Sequence, residues 1–175
     1  LASKDSIIPA MAHQYTGLNF FGSWYTTVYP MERKAPTENA QLFGKKMSEI
    51  SSQEIIENLE AYNIKYLIAI SPEAKLKFNT LSFLKKEKEF KNYTIYNYQD
   101  YQPSWITSEK QINFSLEETS DQRIIFKINN QFKGNKAVLK FAYHPYWHAY
   151  MNNQEIVLRT NSFYLTEVDL PKGEY

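Results

Sequence analysis

The sequence predicts an α+β protein, with a small α/β lobe over residues 1–104 followed by an antiparallel β-sandwich lobe over residues 105–175. Three observations lead there. A helix with a clear start signal precedes a short apolar run at Ile64 to Ile70. From Trp105 onward, short runs of β-forming residues are separated by turn residues every 8–12 positions, the spacing of a sandwich. The third is aromatic content: 14 Tyr, 11 Phe and 3 Trp in 175 residues.

In chain order, Leu1 to about Gln41 reads as irregular, with Thr16-Gly17, the aromatic run Asn19-Phe20-Phe21-Gly22-Ser23-Trp24-Tyr25 and Tyr29-Pro30. Glycine beside large aromatics suits closely packed backbone without long elements. A short helix is expected near Thr37 to Lys46. Ser51-Ser52-Gln53-Glu54 has the form of a capping box. Ile55, Ile56, Leu59 and Tyr62 follow at helical spacing. Asn63 suits a left-handed stop. Ile64 to Ile70 is nearly all apolar and predicts a buried strand. Ser71-Pro72 then caps a further short helix.

Lys85-Lys86-Glu87-Lys88-Glu89 predicts a solvated face or a turn. Tyr93 to Tyr98 alternates with period two and predicts an exposed or half-buried strand. Gln99 to Ser104, with Pro103, reads as a linker. Beyond it, strands are expected at about 111–117, 123–129, 137–143, 146–151, 155–159 and 163–170. Thr119-Ser120-Asp121, Lys133-Gly134-Asn135, His144-Pro145 and Asn152-Asn153 mark their turns. Leu170-Pro171-Lys172-Gly173 is a turn, so another strand should start near Tyr175. That strand is expected to be missing, leaving a sheet edge open or filled by another chain.

Composition narrows the function. The net charge is +1, and no basic stripe is visible, so nucleic acid is not an expected partner. Without Cys there are no disulfides, thiolate metal sites or cysteine nucleophiles. No apolar run approaches the roughly 18 residues that span a bilayer, and no signal-peptide pattern is present. The chain starts at Leu1 and stops at Tyr175 just after a turn, so both ends are expected to lie inside a longer polypeptide.

Aromatic richness suits a β-rich core, a sugar-binding surface or a membrane-interface belt. Trp147, Tyr146, Tyr150 and Trp24 are the candidate glycan-binding residues, with core packing as the competing role for each. In a strand, Tyr146 and Tyr150 would share one face and Trp147 would take the other. His144 and His148, with His13, invite a metal reading, but Pro145 between the first two breaks the helical spacing that such a pair needs. No pair of carboxylates is set for glycosidase chemistry, and no nucleophile elbow or phosphate-cradling loop occurs. No catalytic residue, cofactor or metal is therefore expected in this chain.

Several segments carry a resemblance. Val138 to Ile156 contains a strand, the step Tyr143-His144-Pro145-Tyr146-Trp147 and a hairpin turn at Asn152-Asn153; Asn161 to Phe163 and Val168-Asp169-Leu170-Pro171-Lys172-Gly173 follow. Upstream, Gly22-Ser23-Trp24-Tyr25 and the helix–strand unit Glu54 to Ile70 match in order. Together they resemble the C-terminal extracytoplasmic domain of large polytopic membrane proteins, the YfhO-like and 6-pyruvoyl-tetrahydropterin-synthase-related membrane families. Asn153, Ser23 and Asn63 depart from that pattern, standing where it has glycine.

The resemblance implies a parent with many transmembrane helices, related to the glycosyltransferases that use lipid-linked sugars. Their catalytic carboxylate would lie upstream of Leu1. This chain would be a non-catalytic, soluble domain on the extracytoplasmic side of the cell membrane. Its partners would be the membrane-embedded remainder of the polypeptide and a glycan or cell-envelope polymer. A free-standing carbohydrate-binding module and a structural partner-docking domain are the alternatives.

Overall fold

The computed structural model describes residues 41–119 and 123–175. The chain forms two units, divided between Pro103 and Ser104. Among the described residues, the first carries two short helices on a small sheet and the second is built from antiparallel sheets. The α+β class expected from the sequence is therefore the one observed.

The first described element of the first unit is a hairpin, β1 (Gln41–Leu42) and β2 (Lys45–Lys46). A short helix is expected here, and the described part of that span is instead a tight turn. Phe43 and Gly44 both take positive φ, 52° and 78°, the backbone of a two-residue hairpin loop. The unfavourable left-handed backbone at Phe43 is offset by its ring, which is buried in the core against Tyr62.

Helix α1 (Ser52–Ala61) begins as its sequence predicts. The Ser51 hydroxyl accepts from the Glu54 N–H, and the Glu54 carboxylate accepts from the Ser51 N–H, so two otherwise orphaned donors are satisfied reciprocally. At its other end Asn63 has φ 53°. The Ile64 N–H donates to the Leu59 carbonyl and the Asn63 N–H to that of Glu60, the paired bonds of a Schellman stop. Helix α2 (Pro72–Asn79) has Ser71 as its N-cap and Pro72 in its first turn.

Strands β3 (Tyr66–Ala69), β4 (Leu84–Glu89) and β5 (Thr94–Tyr98) form an antiparallel sheet in the order β3-β5-β4. One expectation changes here, and the solvated face expected of the charge run is found on a strand. The apolar run at 64–70 is an edge strand with one covered face: Leu67 and Ala69 are buried, while Tyr66 and Ile68 stay exposed. An antiparallel sheet can keep one face in water, and the side of β3 that carries Tyr66 and Ile68 does so. The charge run is a strand whose side chains are exposed after Leu84. A bulge between Lys86 and Lys88 interrupts its pairing. β5 lies centrally, with Thr94, Tyr96 and Tyr98 buried against a core containing Ile55, Leu59, Leu67, Ala74 and Phe78.

The second unit holds β6 (Ile106–Ser108), β7 (Asn113–Thr119), β8 (Ile124–Asn130), β9 (Asn135–Ala142), β10 (Ala149–Met151), β11 (Gln154–Ile156), β12 (Leu158–Thr160), β13 (Leu165–Leu170) and β14 (Gly173–Glu174). One sheet runs β12-β13-β9-β6, a second β14-β8-β7, and β10 with β11 makes a separate ribbon. Ile106, Ala137, Leu139, Val168 and Leu170 from the four-stranded sheet pack in one cluster with Ile128 from the three-stranded sheet, which is the sandwich core.

Four local expectations are refined. Strand β6 falls outside every expected strand. The expected 155–159 strand is two, β11 and β12, separated by exposed Val157. Asn135, expected in a turn, is the fully buried first residue of β9, while Gly134 at φ 65° supplies the turn. The strand expected to be missing near Tyr175 is in place: Gly173 and Glu174 pair with Asn130 and Asn129, and Tyr175 exchanges both backbone hydrogen bonds with Ile128. Of the turn at Thr119-Ser120-Asp121, the last two residues lie outside the described ones.

Candidate functional site

The segment from Tyr143 to Ile156 is built from two tight turns. In the first, the Trp147 N–H donates to the His144 carbonyl at 3.0 Å, with Pro145 at the second position, where its fixed φ suits a type I turn. The second is the Asn152-Asn153 loop, with φ 49° and 63°. Two consecutive positive φ values match the twist of the strands it joins, and they fix the register: Met151 opposes Gln154, Tyr150 opposes Glu155, and Ala149 opposes Ile156.

That register sorts the side chains. Met151 and Ile156 point to the sandwich core and pack against its buried residues. Tyr150 and Glu155 take the other face. Tyr150 is 66% exposed. His148 joins them, its Nδ1 lying 2.7 Å from Glu155 Oε1. The imidazole and carboxylate thus tie the two arms of the hairpin together beside the Tyr150 ring.

Of the four residues expected to contact glycan, the structure brings Tyr146, Trp147 and Tyr150 into this one segment; Trp24 lies outside the described residues, as does His13. Tyr146 and Trp147 sit in the first turn and not in a strand, because Pro145 closes the chain on itself before β10 begins. The strand-face relation expected between Tyr146, Trp147 and Tyr150 therefore does not apply. Tyr146 is 83% exposed. Its N–H donates to His144 Nδ1 at 3.2 Å, and its ring lies 5.1 Å from the His144 ring. Trp147 is half-buried against Phe141, with ring centroids 5.8 Å apart, and so contributes packing as well as surface.

The two histidines are engaged separately, one with the Tyr146 backbone and the other with Glu155. Among the described residues no group of three or more His, Asp or Glu is placed to hold a metal ion. Glu155 brings one carboxylate to this surface, whereas hydrolysis of a glycosidic bond uses two across a cleft. What the surface offers is contact: two exposed phenol rings and a hydrogen-bonding acid–imidazole pair. The pair was within reach of sequence reasoning, since a two-residue Asn-Asn loop sets Tyr150 opposite Glu155 and strand alternation puts His148 on the face of Tyr150.

No helix of the described residues is long and apolar enough to cross a membrane. No family model, curated protein or solved structure matches this chain.

Proposed function

We propose that this chain is a non-catalytic, extracytoplasmic domain of a multi-pass membrane protein of glycosyltransferase-like type, and that it engages a glycan acceptor through the hairpin at 143–156. The observation that carries the glycan reading is the pair of exposed rings, Tyr146 at 83% and Tyr150 at 66%, on a turn and ribbon anchored to a packed core. A tyrosine that stays in water presents a flat apolar face and a hydroxyl, and a sugar ring has both apolar C–H faces and hydroxyls to meet them. The ribbon is short and its register is fixed by the Asn-Asn loop, so little ordering entropy remains to be lost on binding. The membrane reading rests on the resemblance of the segments between Gly22 and Gly173.

The test is binding of the purified chain to a panel of cell-envelope polysaccharides, alongside the Tyr146→Ala/Tyr150→Ala variant. Saturable binding that falls at least about tenfold in the variant, with an unchanged melting temperature, is the expected result. Binding equal in both proteins, or to no glycan at all, rejects the hairpin as a sugar surface. The membrane reading is checked separately: a complete reading frame with no hydrophobic span would remove it.

A further inference from the structure

A second polar surface lies in the first unit, where β3 starts and β5 ends. A groove of about 380 Å³ is lined there by Lys65, Lys85, Glu87, Asn97, Gln99 and Tyr101, together with Tyr98. The sheet geometry assembles it. Asn97 on the central strand stands between Tyr66 on β3 and Lys85 on β4, its direct partners in register. The bulge in β4 sets Glu87 out of the regular pairing, and its carboxylate accepts from the Asn97 side-chain amide at 3.5 Å. Bulges commonly re-aim side chains in this way beside binding sites.

The charges are unbalanced. Lys65 and Lys85 form no ion pair among the described residues, whereas Lys86 next door is paired with Glu89. The Lys65 ammonium instead lies 5.2 Å from the centre of the Tyr66 ring and 5.9 Å from that of Tyr101. Those contacts hold the cation at the groove without neutralising it. Two ammonium groups, two primary amides and a half-buried tyrosine ring thus face a space with one carboxylate, Glu87, which already holds Asn97.

We propose that this groove binds an oxyanion carried on a hydroxyl-bearing ring, as in a uronic acid or a sugar phosphate. Lys65 and Lys85 take the oxyanion, the Asn97 and Gln99 amides take hydroxyls, and Tyr101 covers a ring face. The groove is independent of the hairpin surface: its residues lie in a different unit, and each site has its own variants.

The test follows backbone amide shifts by NMR as glucuronate, glucose phosphate, inorganic phosphate or neutral glucose is added to the whole chain. Saturable shifts clustered at Lys65, Asn97 and Tyr101 with glucuronate or glucose phosphate, and none with glucose, are expected. Which of those two binds more tightly identifies the oxyanion, and binding of inorganic phosphate as tight as that of glucose phosphate overturns the role of the sugar ring. Lys65→Ala and Lys85→Ala should each weaken binding about threefold to fivefold, as solvent-exposed charge contacts do, and added salt should weaken it further. Tyr146→Ala/Tyr150→Ala should leave it unchanged. Absence of clustered shifts overturns the proposal. So does equal binding of glucose, or full binding in a folded Lys65→Ala/Lys85→Ala protein.

Discussion

Asn135 donates from its side-chain amide to the side-chain oxygen of Asn130 at 3.2 Å, and both residues are buried, at 0% and 1% exposed. Around this contact every polar atom of the two side chains has a partner. Asn130 donates to the carbonyls of Phe132, Leu170 and Pro171 and accepts from the Phe132 N–H. Asn135 donates to the Lys110 carbonyl and accepts from the Lys110 N–H. Two side chains therefore tie together the β8–β9 turn, the turn before β14 and the loop after β6.

Asn130→Ala is expected to destabilise the protein by about 2–4 kcal/mol, because it strands the buried Leu170 carbonyl and unpairs part-buried backbone groups of Phe132 and Pro171 at once. Denaturant unfolding measures the loss. Asn130→Asp should not rescue it, since a carboxylate cannot donate to the three carbonyls and would be buried with its charge. A loss below about 0.5 kcal/mol in Asn130→Ala would show that the network is not closed as described.

The cap of α1 should respond to acid. The Glu54 carboxyl is held down at about 2, first by its hydrogen bond with Lys45 and then by the Ser51 N–H and hydroxyl. A carboxylate with a lowered folded-state value contributes fully above its ordinary value of 4.5 and loses that contribution as pH falls toward 2. The melting-temperature gap between the native chain and Glu54→Gln should therefore be constant near neutrality and close across that acid window. It should be small, because the pair is solvent-exposed. Ser51→Ala, which removes the N-cap acceptor, should cost about 1 kcal/mol at neutral pH. A gap that widens in acid would contradict the pairing.

Tyr98 should respond to alkali. Burial, followed by the hydrogen bond that its hydroxyl donates to Glu60 at 3.1 Å, pushes its phenol up to about 12. Below the ordinary tyrosine value of 10.0 the group is neutral in both states. Above it the unfolded chain loses the proton first, so stability falls as pH rises toward 12. Tyr98→Phe should flatten that alkaline decline and cost about 1 kcal/mol at neutral pH. Tyrosinate absorbance during alkaline titration, compared between the two proteins, should lose a late-titrating component. An unaltered titration curve would count against the burial of this phenol.

Neighbouring residues of β3 should behave oppositely. Leu67 is 8% exposed and Ile68 is 46% exposed. Leu67→Ala should cost about 2–5 kcal/mol by opening a cavity, whereas Ile68→Thr should change stability by less than about 0.5 kcal/mol. Similar losses at both positions, read from urea midpoints, would mean that the strand is covered on both faces.

Local signals were legible in the chain itself. Ser51 and Glu54 start α1, Asn63 stops it, Ser71-Pro72 starts α2, and Asn152-Asn153 closes the β10–β11 hairpin, because each depends on backbone groups only a few residues away. The α+β class followed from the same punctuation. Tertiary packing decided what distance along the chain conceals. It left Ile68 in water, since nothing in an apolar run says how many layers will cover it. It turned Asn135 from a turn residue into a buried anchor, because its partner Lys110 lies far back along the chain and arrives only when β6 pairs with β9. It also set Lys65, Lys85, Asn97 and Tyr101 around one groove, through strand register that no short window of sequence contains.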